Sequence, residues 1–220
     1  MCIRDSLCYK LVPIYSPVDK ANPFDMGRVN SDVMYDMVKS WDWGNSGNPE
    51  VYHDVESRKN GITYRGNLAR LIEALINEGK LDKAEEIADL AMNKMPVDIF
   101  GYYTLLEPYI SAYYEVNAQD KARKLYFDVS KKYQENLTYL SSLEYREQES
   151  LAEDIYVDIE RYRALIDVLA INENDTDFVE NEMKKFNDFL RLFGVDDEPS
   201  EEKREDIDIP SDSGSIEANK

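Results

Sequence analysis

His53 is the single histidine of the chain, flanked by a carboxylate in Val51-Tyr52-His53-Asp54. A histidine acting as a base needs a nucleophile within hydrogen-bond reach. Ser57 is the one neighbour of that kind, so a surface or capping histidine is the reading carried forward. Glu153 and Asp154, followed by Asp158 and Glu160, offer the carboxylate pairs that general acid–base chemistry uses. No second catalytic group accompanies them, and Arg161 and Arg163 stand close enough for exposed pairing, so they read as a solvated helix face. One histidine and two cysteines are too few for a soft-metal site, which needs three or four convergent ligands. A glycine-rich phosphate loop is absent. No catalytic residue, metal or cofactor is therefore assigned.

Aromatic side chains are the remaining candidates. Trp41 and Trp43 flank Asp42 in a loop-like stretch. Paired indoles can stack on a sugar face or a peptide proline, or they can pin the loop onto neighbouring helices. Tyrosine is unusually frequent, at 16. Helical spacing puts Tyr102, Tyr109 and Tyr113 near one face, with Tyr103 and Tyr114 towards others. Such residues serve a concave peptide-binding face or the packing between helical repeats. Contact with a peptide or glycan stays open for Trp41, Trp43, Tyr102, Tyr109 and Tyr113, beside the plainer readings of pinning and packing.

The elements that would position these residues are mostly helical. Tyr9 to Tyr15 reads as a short strand whose partners lie upstream, with Pro13 at its edge. Ser31–Lys39 reads as a short helix with Val33, Met34, Met37 and Val38 on one face and Asn30 or Ser31 as cap. A loop from Trp41 to about Asn60 contains Gly47 and Pro49. From Tyr64 onward the apolar spacing is helical throughout. Gly79 suits a left-handed helix end, Asp82 and Asp120 suit helix caps, and Pro96 suits a stop. The spacing predicts one helix over Phe100–Val116 kinked at Pro108, and a capping box at Ser150 and Glu153. It also predicts a last helix over Asp177–Phe193.

A net charge of -19 argues against nucleic acid and against adsorption to an anionic membrane. The acids crowd after Asp196 among prolines and serines, so residues 195–220 read as a disordered acidic tail. No apolar run is long enough to span a bilayer, so no membrane insertion is expected from this stretch itself. Met1-Cys2-Ile3-Arg4-Asp5-Ser6 looks like a translated sequencing adapter. On that reading residues 1–6 are excluded, the natural chain begins near Leu7 within a longer protein, and the single cysteine left is Cys8.

Leu81-Asp82-Lys83-Ala84 and Gln119-Asp120-Lys121-Ala122 recur 38 residues apart, each after an apolar helix and a short turn. The unit from Leu68 to Pro96 resembles a tetratricopeptide repeat, with Gly79 at the turn, Ala84 and Ala91 on the second helix and Pro96 at its end. The second unit has Asn117 for the turn glycine and Val129 for the second alanine. Small residues let paired helices approach closely, and stacked pairs bury a continuous core. The fold class expected is mainly α: a tetratricopeptide-like α–α hairpin stack over residues 61–194. It is preceded by a strand, a short helix and the tryptophan loop over residues 7–60.

A wider resemblance covers Tyr9 to about Leu169. It is carried by Leu11-Val12-Pro13-Ile14, Val33-Met34-Tyr35-Asp36, Trp43-Gly44-Asn45, Val51-Tyr52-X-Asp54 and Arg65-X-Asn67-X-X-Arg70-Leu71. Glu78-Gly79-Lys80, Met95-Pro96 and Ala112-Tyr113-Tyr114 continue it. In order and spacing these resemble the C-terminal region of a bacterial membrane family, domain of unknown function 2723, similar to multi-spanning protein O-mannosyltransferases. The resemblance implies an N-terminal block of membrane helices, acting as a glycosyltransferase on a lipid-linked sugar donor, as partner to this stretch. It implies an extracytoplasmic location, the periplasm of a Bacteroidetes-type bacterium, and a role in holding protein acceptors. No position here matches the family's catalytic acid. A free-standing scaffold for a peptide or partner protein, located in the cytoplasm, is the alternative.

Overall fold

The computed structural model describes residues 28–194 together with two short strands, β1 (Cys2–Arg4) and β2 (Tyr9–Leu11). β1 pairs antiparallel with β2 and parallel with β3 (Arg28–Val29). β2 coincides with the first three residues of the segment read as a strand; Val12 to Tyr15 lie outside the described residues. Its partner is β1, within the six residues read as adapter-derived, rather than a segment upstream. The acidic stretch after Gly194 also lies outside the described residues, as does Cys8.

The chain is mainly α-helical. α1 (Ser31–Ser40) starts where Asn30 accepts the Val33 N–H at 3.3 Å. Met34 and Val38 are fully buried, whereas Val33 and Met37 are exposed, so its apolar face is narrower than the sequence pattern suggests. α2 (Val55–Asn77) begins well before Tyr64, because the Asp54 carboxylate caps the Ser57 N–H at 2.7 Å. The expected boundary near residue 60 therefore falls inside a helix. α2 carries Gly61 through its length because Phe100 fills the space a side chain would need.

α2 closes in a Schellman turn. Gly79 is left-handed, its N–H reaches Ile76 O at 2.8 Å, and Lys80 N reaches Leu75 O at 2.8 Å. α3 (Leu81–Lys94) follows at once. α5 (Glu107–Glu115) ends in the same way: Asn117 is left-handed, with Asn117 N on Tyr114 O at 2.9 Å and Ala118 N on Tyr113 O at 2.8 Å. α6 (Gln119–Ser141) then begins. Asp82 and Asp120 do not cap these helices. The residues before them, Lys80 and Ala118, close the preceding helix and leave no extended position for a side-chain cap. The two acids sit in the first turn, where they meet the positive end of the helix dipole.

The helix expected over Phe100–Val116 is broken. α4 (Val97–Phe100) ends at left-handed Gly101, Tyr102 is also left-handed at φ 48°, and a single 3₁₀ turn spans Tyr103–Leu105. Pro108 then lies in the first turn of α5, where its missing N–H leaves nothing unsatisfied, so it starts a helix instead of kinking one.

The next break is also earlier than expected. A capping arrangement of Glu144 and Glu147, with Glu144 N on Glu147 Oε2 at 3.2 Å, opens the short α7 (Tyr145–Ser150). Ser150 spends its hydroxyl on Glu147 O and caps nothing. α8 (Ala152–Asn172) and α9 (Thr176–Leu192), the latter capped by Asp175, complete the described chain.

Contacts run in sequence order: α2 on α3, α3 on α5, α5 on α6, α6 on α8, and α8 on α9. α2 also touches α5, α5 touches α8, and α6 touches α9. Ala84, Ala91, Ala122 and Val129 are completely buried at these crossings, where their small size permits close approach. No helix among the described residues is long and apolar enough to cross a membrane.

Candidate functional site

Several chemistry-bearing residues turn out to be structural. The His53 ring packs on Phe100 with centroids 5.1 Å apart, and it is Asp54 that caps α2. The N–H groups Asp54 accepts hold its carboxyl below the usual range. Ser57 contributes its backbone N–H to that cap. Of the α8 acids, Glu153, Asp154 and Glu160 are exposed, and Glu160 pairs with Arg163 at 3.5 Å. Asp158 departs from the solvated-face reading. It is buried and hydrogen-bonded by the Asn136 amide, and burial pushes its carboxyl up. Among the described residues no three His, Cys, Asp or Glu side chains converge on a metal position.

The tyrosines divide by hydroxyl partner. Tyr109 is wholly buried and donates to Arg65 O at 2.7 Å, leaving nothing for a peptide to touch. Tyr113 is 3% exposed and donates to Asp89 on α3 at 3.0 Å. Tyr114 donates to Glu173 at 3.0 Å, and Tyr126 on α6 donates to Glu182 on α9 at 3.0 Å. Burial, reinforced by these carboxylates, pushes the Tyr113, Tyr114 and Tyr126 hydroxyls well above the ordinary phenol range. A buried phenol favours a hydrogen-bond acceptor, and Tyr113, Tyr114 and Tyr126 each take an acid from a neighbouring helix or turn. The expected common face of Tyr102, Tyr109 and Tyr113 does not form, because the break at Gly101–Tyr102 places Tyr102 outside α5.

Beside Asp158 and Glu182, two further buried charged residues escape pattern reading. Arg65, only 1% exposed, donates Nη1 to Gly101 O at 2.6 Å and Tyr102 O at 3.3 Å, and Nη2 to Met95 O at 2.7 Å. It thereby clamps the turn at Gly101–Tyr102, where Tyr102 holds a left-handed conformation that a side chain disfavours. Glu173 sits at the α8–α9 turn. It accepts Arg123 Nε at 2.7 Å, Tyr114 Oη, and the N–H groups of Asn174 and Asp175 at 2.9 and 3.2 Å. The Arg123 guanidinium, ahead of the backbone and phenol donors, holds its carboxyl down at about 2. Neither residue lies on an apolar stripe, and the turn at residues 173–175 gives the one sequence hint that Glu173 is special.

Three open features stand out among the described residues. A groove of about 550 Å³ runs between α2 and α5, lined by Ala69, Glu73, Ile76, Glu107, Ser111 and Glu115 among others. A second cavity, of about 370 Å³, lies under the tryptophan loop. Trp41, Trp43 and Tyr64 form one wall, their ring centroids 5.4 to 5.9 Å apart. The loop is seated against α3 at Gly47, where a Cβ would come within 2.2 Å of Asn93 O. Trp41 and Trp43 thus pin the loop and line a cavity at the same time. The third, of about 600 Å³, lies between α3 and α6, where Asp89, Tyr113, Lys121 and Asp128 line it; Tyr102 and Tyr109 line none of the three.

Compared with known proteins, the chain matches no family model, no curated protein and no solved structure. The class of chain is therefore set by its own geometry: mainly α-helical, with a groove of mixed apolar and charged lining and an aromatic cavity.

Proposed function

We propose that this chain is a tetratricopeptide-like repeat domain that binds an extended peptide and performs no catalysis itself. The observation that supports this best is the groove between α2 and α5, the first helices of two hairpins whose closing turns at Gly79 and Asn117 recur 38 residues apart. Repeat pairs of this kind present their first helices side by side and so make an extended trough. Glu73, Glu107 and Glu115 outnumber Arg70 along a trough that is otherwise largely apolar, which suits a peptide bearing lysine or arginine beside apolar side chains.

The resemblance set out above places the domain, in this reading, at the C-terminus of a membrane-embedded protein glycosyltransferase, on the extracytoplasmic side. There it holds protein acceptors near a lipid-linked sugar donor. Titration with a lysine-containing, serine-rich peptide should give saturable binding that Ala69→Trp abolishes with the melting curve preserved. Failure of every such peptide to bind removes the presentation role. A coding sequence without hydrophobic spans ahead of Leu7 would leave a free-standing scaffold instead.

A further inference from the structure

The cavity under the tryptophan loop has features that pinning alone does not require. Its volume of about 370 Å³ falls at the low end of the range for small-molecule sites. One wall is aromatic. The rest is lined by Asp42, Ser46, Ser57 and Asn60, over a floor of Gly61, Met95 and Phe100. Trp43 Nε1 and Ser46 Oγ are buried with no hydrogen-bond partner, an arrangement native interiors rarely leave unanswered. The Asp42 carboxylate is held in place by the Gly44 N–H at 2.8 Å, and Gly47 fixes the loop on α3. The walls are therefore set before anything binds.

We infer that this cavity is a binding site for a neutral sugar ring. A pyranose has an apolar C–H face and a rim of hydroxyls. The cavity offers an aromatic wall for the first and the groups of Asp42, Ser57 and Asn60 for the second. A quaternary ammonium needs rings that face each other across the cation. Here the three rings touch one another at 5.4 to 5.9 Å and make a single wall, which leaves no box. An anion meets Asp42, the sole charged group of the lining. A proline ring fits the wall and leaves the polar rim unanswered. The inference stands on the loop, α2 and the floor of Met95 and Phe100, and it does not depend on peptide binding in the α2–α5 groove.

Both tryptophans of the chain lie in this wall, so intrinsic fluorescence and the indole N–H resonances report on it directly. The chain is titrated with methyl glycosides of neutral hexoses and N-acetylhexosamines up to about 50 mM. That range lies well past the millimolar affinity expected of one stacked ring with a few hydrogen bonds. A saturable shift of both indole signals with at least one glycoside is expected. Asn60→Ala, at an exposed position, should weaken it about tenfold with an unchanged melt, and Ala69→Phe in the groove, which adds no indole, should leave it intact. The inference is overturned if no glycoside moves the indole signals, or if tetramethylammonium or proline moves them where sugars do not. It is equally overturned if Asn60→Ala binds as the parent does, or if Ala69→Phe abolishes the shift.

Discussion

Tyr114 and Glu173, 59 residues apart, meet at 3.0 Å, and the carboxylate between them and Arg123 is the most heavily hydrogen-bonded acid of the described chain. The pair joins α5 to the turn between α8 and α9. Its strength depends on the acid staying ionised.

A pH dependence follows. The folded carboxyl of Glu173 sits at about 2, below its ordinary value of 4.5. A depressed acid adds stability that is complete above the unfolded value and is lost as pH falls through the folded one. The contribution is roughly 3 kcal/mol, and it should fade between about pH 5 and pH 2. Asp158 and Glu107 are pushed up by burial and act in the opposite sense, favouring the fold as they protonate. Urea midpoints of the parent and of Glu173→Gln, compared from pH 6 to pH 2.5, isolate the first effect. The two curves should converge at the acid end; parallel curves count against the assignment.

Arg65 is the second point of dependence. Replacing it with Met keeps much of its packing and strips three donors from Met95 O, Gly101 O and Tyr102 O. Buried carbonyls left without donors should lower stability by about 3 kcal/mol. A thermal melt indistinguishable from the parent would show that the left-handed pair at Gly101–Tyr102 holds without its clamp.

The two Schellman turns predict opposite outcomes for opposite exchanges. Asn117→Gly should stabilise by about 0.5 kcal/mol, since glycine takes positive φ more readily. Gly79→Ala should destabilise by about 1 kcal/mol for the mirror reason. Equilibrium denaturation of both variants checks the sign, and a gain in each would contradict the shared geometry.

Ala84 is fully buried where α3 meets its neighbours. Ala84→Leu overpacks that crossing and should cost about 1–3 kcal/mol. An unaltered denaturation midpoint would mean the helices are not in close contact there.

Gly47 offers a local probe. Ala at this site forces its Cβ against Asn93 O and lifts the tryptophan loop. Tryptophan emission should shift to the red while the far-ultraviolet spectrum stays constant. Emission that stays fixed would mean the loop is not seated on α3.

The long helices were readable from sequence because their buried residues repeat with one period. Leu125, Val129, Tyr133 and Leu137 on α6 are all buried as that spacing demands. The interruption at residues 101–106 was not readable. Tyr102 has no intrinsic preference for positive φ, and its conformation is imposed from a distance by the Arg65 side chain. The start of α2 was missed for a related reason. Residues 55–63 show no apolar helical period, and the packing of Phe100 beside Gly61 is a tertiary fact. The tryptophan loop was legible as a candidate; the polar groups that complete its cavity come from α2, and periodicity could not bring them there.

At Gly79–Lys80 and Asn117–Ala118 the same residues finish one helix and launch the next. Such joints have no slack, so adding or deleting one amino acid there would rotate everything downstream by roughly a hundred degrees about the helix axis. Length variation among descendants of this gene should therefore collect in exposed stretches such as residues 48–52, with these two corners kept at constant length.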